Sequence, residues 1–123
     1  MLPNPVGWFE IYVQDVNRAK AFYEKVLERK LQKLDAPEIE MWAFPMQEGG
    51  AGAAGAIVKM AGCPSGGNST LVYFSCDDCG VEAKRVAPSG GKIFKEKFSI
   101  GQWGFIALAS DTEGNMIGLH SMK

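Results

Sequence analysis

The residues best suited to chemistry in this 123-residue chain are a carboxylate and the only histidine. Glu10 lies in the alternating run Trp8-Phe9-Glu10-Ile11-Tyr12-Val13, which puts it on one strand face with Trp8 and Tyr12. His120 lies far along the chain, in Met116-Ile117-Gly118-Leu119-His120-Ser121. An imidazole titrates near neutrality, and a carboxylate beside it fixes its tautomer and raises its pKa. Brought together, Glu10 and His120 could form a general acid/base pair. The competing reading is a pair of half-buried polar groups that satisfy each other. Both readings stay open here.

Two further strings invite a chemical reading. Gly50-Ala51-Gly52-Ala53-Ala54-Gly55 matches the glycine spacing of a dinucleotide loop. That loop works by ending a strand and opening a helix, whereas this one leads into the strand-like Ala56-Ile57-Val58. A turn between strands is the better reading. Cys76-Asp77-Asp78-Cys79 has the spacing of a redox or zinc pair. Cys63 does not complete a zinc set, and the two aspartates would raise a thiol pKa. Cys76 shares the parity of Val72 and Phe74 and reads as a buried filler. Aromatic residues at strand positions, namely Trp8, Tyr12, Trp42, Phe44, Tyr73, Trp103 and Phe105, could stack on a planar ligand or simply fill space.

The elements that hold these residues come in two copies. Trp8 to Asp15 followed by the helical run Val16 to Leu27 matches Leu71 to Asp78 followed by Cys79 to Ala87, with Asp15 and Asp78 63 positions apart. In the first copy, strand 7–14 turns Phe9, Ile11 and Val13 toward a helix whose stripe is Val16, Ala19, Phe22, Tyr23, Val26 and Leu27. Asp15 can cap that helix. Strands near 30–34, 38–46 and 56–60 follow, with Trp42, Phe44 and Met46 sharing a face. The loop 62–69 separates the copies. Strand 70–76, the helix to Ala87 and strands 92–98, 103–110 and 116–121 complete the second, with Asp111 to Asn115 as the last turn. The spacing predicts an α+β fold of two β-α-β-β-β modules, about 6–61 and about 70–121, in one domain over 1–123. A half-open sheet cannot cover its own concave face, so pairing of two modules is expected.

Composition sets the outer limits. Hydrophobic residues make up 46% and charged residues 22%, the balance of an ordinary globular protein. A net charge of -1 offers no basic field for nucleic acid or an anionic membrane. No apolar run approaches the roughly 20 residues that span a bilayer. The opening Met1-Leu2-Pro3-Asn4-Pro5 lacks the features of a secretory signal, and three cysteines argue against a disulfide framework. The expected location is cytoplasmic.

The chain resembles the glyoxalase/bleomycin-resistance/extradiol-dioxygenase superfamily, the vicinal oxygen chelate fold, and within it the small single-domain members related to lactoylglutathione lyase. The resemblance rests on Phe9-Glu10-Ile11, Val13 and Asp15 with Arg18-Ala19-Lys20-Ala21-Phe22-Tyr23. It extends to Val72-Tyr73-Phe74-Ser75-Cys76-Asp77-Asp78, Gly90-Gly91-Lys92 and Asp111-Thr112-Glu113-Gly114-Asn115-Met116-Ile117-Gly118-Leu119-His120. It implies a curved, partly open barrel-like sheet with helices outside. Metal-using members place ligands at positions matching Trp8, Leu71, Gly118 and one residue within Gly55 to Val58, and none of these can donate to a metal here. No metal and no cofactor are therefore expected. What the resemblance leaves is a cavity for a small organic molecule, lined by Trp8, Tyr12, Trp42, Tyr73 and Trp103, with Gly118 giving room and Glu10 and His120 as its ionisable pair. The implied activity is lyase or isomerase chemistry on a carbonyl compound. Sequestration of a drug or metabolite without turnover is the alternative, and an accessory subunit without a cavity is a third. A homodimer is expected, because the apolar side chains on the strands exceed what two helices can cover.

Overall fold

The computed structural model describes residues 3–49, 52–67, 69–110, 112 and 115–123. The fold is mixed α+β, with eight strands and two helices in the described residues. The chain divides into two compact units. One is Phe9–Thr70, and the other joins the chain up to Trp8 with Leu71–Lys123. Strand β1, Val6–Tyr12, runs from the second of these into the first.

In the first unit, helix α1 spans Val16–Leu27 as the apolar spacing predicts. Asp15 caps it by accepting from the Arg18 amide at 3.0 Å, which satisfies one of the donors a helix start leaves orphaned. Glu28 ends it in the left-handed region, at φ 54°. Strands β2 (Gln32–Leu34), β3 (Glu40–Ala43) and β4 (Ala54–Lys59) pair antiparallel in the order β2-β3-β4. The Val13 amide donates to the Val58 carbonyl at 2.9 Å and ties the chain after β1 to β4. Under α1 lie Val13, Val16, Leu31 and Ile57, with Ile11, Ala19, Tyr23, Trp42 and Phe44 around them. Ile57 is fully buried, and removing such a side chain from water contributes about 1.5–3 kcal/mol.

The second unit repeats the plan with a shorter helix. Strands β5 (Thr70–Ser75), β6 (Lys92–Ser99), β7 (Phe105–Ser110) and β8 (Met116–Ser121) lie in the order β5-β8-β7-β6. The β5–β8 pair is parallel and the rest are antiparallel. Helix α2, Cys79–Val86, buries Cys79 and Ala83 against Ala107 and Leu119. Its cap, Asp78, accepts from the Gly80 amide at 2.9 Å and from Lys97 Nζ at 2.7 Å. The Cys79 amide donates to Ser121 Oγ at 2.9 Å, which ties the helix start to the last strand.

Two expectations need correction. Residue 103 does not open a strand: Gly101–Trp103 is a short 3-10 turn, and β7 begins at Phe105. Gly101 at φ 77° and Gly104 at φ 101° impose that turn, because only glycine adopts such angles cheaply. Trp42 faces α1. It pairs with Ile57 across β3–β4, and alternation then places both on the helix side. Of the glycine string, Gly50 and Ala51 lie outside the described residues, as do Asn68 of the loop and Asp111, Glu113 and Gly114 of the last turn. Among the described residues, no helix is long and apolar enough to cross a membrane.

Candidate functional site

Alternation along the strands fixes which side chains face away from each helix. In the first unit these include Glu10 and Tyr12. Glu10 is buried, 8% exposed, and its Oε1 accepts from the Tyr12 hydroxyl at 2.6 Å. A buried carboxylate held by a charge-assisted bond of that length is a fixed acceptor. Tyr12 was expected to line a cavity, and here its hydroxyl also orients the carboxylate two residues before it.

In the second unit the face away from α2 carries Tyr73, Ile106, Gly118 and His120. Tyr73 and Gly118 are opposite each other in the parallel β5–β8 pair. The Tyr73 ring lies across the glycine, and a Cβ placed on Gly118 would fall within it. Gly118 was expected to leave open room. That space is filled by the neighbouring aromatic ring instead.

His120 is half-buried, paired across β7–β8 with Ile106. Its Nε2–H donates to the Trp103 carbonyl at 2.6 Å. A carbonyl oxygen has no proton to give, so Nε2 must be the protonated nitrogen. In the neutral ring Nδ1 then carries the lone pair and is the basic atom. The turn that presents this carbonyl follows from glycine geometry. At Gly104 any side chain would run into the Ser121 carbonyl, so the turn packs closely on the chain just past His120. The Trp103 indole is 49% exposed and stands on a turn beside His120, not on a strand. The sequence reading missed the Trp103 carbonyl; the signal for it was the pair of glycines flanking Gln102-Trp103.

The remaining expected lining residues fall in different surroundings. Trp8 is half-buried on β1. Trp42 packs under α1 with Lys20 Nζ 4.4 Å from its ring centre, so it does not line the face away from the helix. Its indole Nε1 is buried with no hydrogen-bond partner among the described residues.

The positions at which family members hold a metal do not fit one here. Trp8, Leu71 and Gly118 offer no donor, nor do the side chains of Gly55 to Val58. The Tyr73 ring moreover occupies the space at Gly118. Among the described residues, no three His, Cys, Asp or Glu side chains stand close enough to share an ion.

Cys76 is held away from thiolate chemistry. The Cys76 thiol is pushed up to about 11, chiefly by burial, with Glu82 and Cys79 adding to it. The flanking aspartates are not the cause, because Asp78 turns to Lys97 and its carboxyl is held below the ordinary aspartate value. Cys76 packs with Phe74 on the α2 side, as its parity predicts.

Comparison with known proteins agrees with this architecture. The chain resembles a methylmalonyl-CoA epimerase from Mycobacterium tuberculosis at a TM-score of 0.73 and 15% identity, covering 100% of this chain and 93% of that one. A Streptomyces coelicolor methylmalonyl-CoA epimerase in complex with 2-nitronate-propionyl-CoA matches at 0.67 and 11%, covering 95% and 96%. An uncharacterized protein from Methanosarcina mazei matches at 0.62 and 15%, covering 100% and 95%. At these identities the likeness shows the fold and no activity. No curated protein matches the sequence. The model of the glyoxalase/bleomycin resistance protein/dioxygenase superfamily matches residues 6–119, and with the strand–helix plan above it shows that the chain belongs to that superfamily.

Proposed function

We propose that this chain binds a small organic carbonyl compound on the strand face turned away from α2, without a metal ion, and that His120 moves a proton on it. The observation that carries this reading is the His120 Nε2–Trp103 carbonyl bond, which leaves Nδ1 as the base. In the isomerase form of the reaction, Nδ1 takes a proton from the carbon next to the carbonyl and the imidazolium returns one to the same carbon or its neighbour. The proton count closes without a co-reactant. Neighbours named as epimerases, one of them in complex with an acyl-CoA analogue, support an activated carbonyl as the ligand class. A lyase acting on such a compound needs the same first step. Glu10, fixed by Tyr12 in the other unit, is proposed independently as a proton-transfer group for its own half.

The test uses the purified chain with a panel of α-substituted acyl thioesters in deuterated water. Solvent deuterium should enter the substrate at the carbon next to the carbonyl. His120→Ala should cut that exchange by about a hundredfold or more, the usual scale for loss of a general base. His120→Gln should fail to restore it. Binding of the panel with no exchange would overturn catalysis and favour sequestration, as in bleomycin-resistance proteins. The filled space at Gly118 supports that second reading.

A homodimer in a reducing, cytoplasmic setting is part of the proposal. Exposed Phe94 on the edge strand β6 and exposed Met122 support a second copy as partner. Light scattering should give twice the 13.3 kDa chain mass. A monomer mass at micromolar concentration would reject it.

A further inference from the structure

A groove of about 480 Å³ opens within the Phe9–Thr70 unit, between the first turns of α1 and Ser65, Gly66 and Ser69. That volume falls in the range of small-molecule sites, about 300–1,000 Å³. It uses neither Glu10 nor His120, although Tyr12, whose hydroxyl holds Glu10, is one of its lining residues. Three features of its wall carry an inference.

The first is an unjoined pair of charges. Asp15 and Arg18 both line the groove. Asp15 Oδ1 holds the Arg18 backbone amide, yet their side chains form no ion pair with each other. Among the described residues the Arg18 guanidinium has no partner. The second is an exposed ring. Phe22 is 58% exposed and follows Arg18 by four residues, so both lie on one side of α1. Tyr23 stands nearly perpendicular to it, with centroids 5.1 Å apart. The third is an apolar floor from Ile11 and Ala19.

We infer that this groove binds a zwitterionic aromatic amino acid. Its carboxylate meets the planar Arg18 fork, its ammonium meets the Asp15 carboxylate, and its ring lies against Phe22 and Tyr23. The two opposite charges, both on the groove wall and not joined to each other, match a ligand that carries both on one carbon. A dianion such as a phosphate monoester would be repelled by Asp15, and a ligand without charge would leave Arg18 unmatched.

The experiment titrates the whole chain by ligand-observed NMR with L-phenylalanine, N-acetyl-L-phenylalanine and L-phenylalaninamide. L-phenylalanine should bind, and each derivative, lacking one charge, should bind about tenfold more weakly. Arg18→Gln should weaken L-phenylalanine about tenfold and leave the amide unchanged. Asp15→Asn keeps the helix cap, and it should weaken L-phenylalanine about tenfold while leaving the N-acetyl compound unchanged. Phe22→Ala should weaken all three. No binding of L-phenylalanine up to about 10 mM, weaker than the affinity any metabolite site needs, would overturn the inference. So would N-acetyl-L-phenylalanine binding as well as the parent, which would make the groove a simple aryl-carboxylate site. Binding indifferent to Arg18→Gln and Asp15→Asn would place the ligand elsewhere and overturn it equally.

Discussion

The two units use the same order of elements and fill their sheets with different side chains. Under α1 the buried residues are the branched Val13, Val16, Leu31 and Ile57, with Phe44 against both Phe9 and Tyr23 at 5.7 Å between ring centres. Under α2 three of the four buried residues are small, Cys79, Ala83 and Ala107 beside Leu119, with Phe74 and Phe105 around them. Each unit also has a glycine covered by an aromatic ring, Gly55 by Phe9 and Gly118 by Tyr73. The covered faces differ. Gly55 shares the α1-facing parity of Ile57, whereas Gly118 alternates with the α2-facing Leu119 and so faces away. A one-residue slip explains this. The Val13 amide bonds Val58 and the Cys76 amide bonds His120, so the repeat runs at 63 positions on one strand and 62 on the other. Shifting a strand by one residue exchanges its faces. In the first unit the ring therefore thickens the core, while in the second it plugs the face on which His120 stands.

Breaking the two glycine–ring pairs gives the larger effect. Gly55→Ala and Gly118→Ala should each destabilise by about 1–3 kcal/mol, because the added carbon meets a ring that must move. Chemical denaturation checks this. A second change, Phe9→Leu for Gly55→Ala and Tyr73→Leu for Gly118→Ala, should recover part of the loss in a double-mutant cycle. Additive losses would mean that the rings do not cover the glycines. Only Gly118→Ala should also alter ligand exchange at His120, since only that pair lies on its face.

The helix caps sharpen the comparison at smaller scale. Asp15→Ala should cost about 1 kcal/mol, and Asp15→Asn almost nothing. Asp78 differs because Lys97 stands 2.7 Å away and, with the Gly80 amide, holds its carboxyl below the ordinary value of 3.8. A carboxyl depressed in the folded state stabilises above its unfolded value and loses that contribution as pH falls through the folded one. Asp78→Asn should therefore flatten the acid limb of the stability curve relative to the unchanged chain. Urea midpoints between about pH 2 and 7 measure it. An acid limb as steep in Asp78→Asn as in the unchanged chain would refute the assigned role of Lys97.

Much of this architecture was legible in the chain itself. The stripe from Val16 to Leu27 with Asp15 before it marked α1 at its observed ends, because cap and periodicity are local signals. The assignment of Ile11 and Val13 to the helix side followed for the same reason. What was not legible depends on neighbours distant in sequence. Alternation separates the two faces of β3 without saying which one a helix covers, and the pairing of Trp42 with Ile57 decides it. The fate of the space at Gly118 depends on Tyr73, 45 positions earlier and opposite it only once β5 and β8 pair. The bond from His120 to the Trp103 carbonyl needed the turn at Gly101 and Gly104, which strand periodicity runs straight through.

The division of β1 has a consequence for the order of folding. Val6 to Trp8 belong with residues from Leu71 onward, and the Ser75 amide donates to the Pro5 carbonyl at 2.7 Å. As the chain leaves the ribosome, Phe9–Thr70 can close on itself while the segment ahead of it waits for partners not yet made. Closing that long loop carries an entropic cost that local pairs do not face. The α2 start waits longer still, for Ser121. Val6 to Trp8, although they precede Phe9–Thr70 in the chain, are thus among the last residues to find their place.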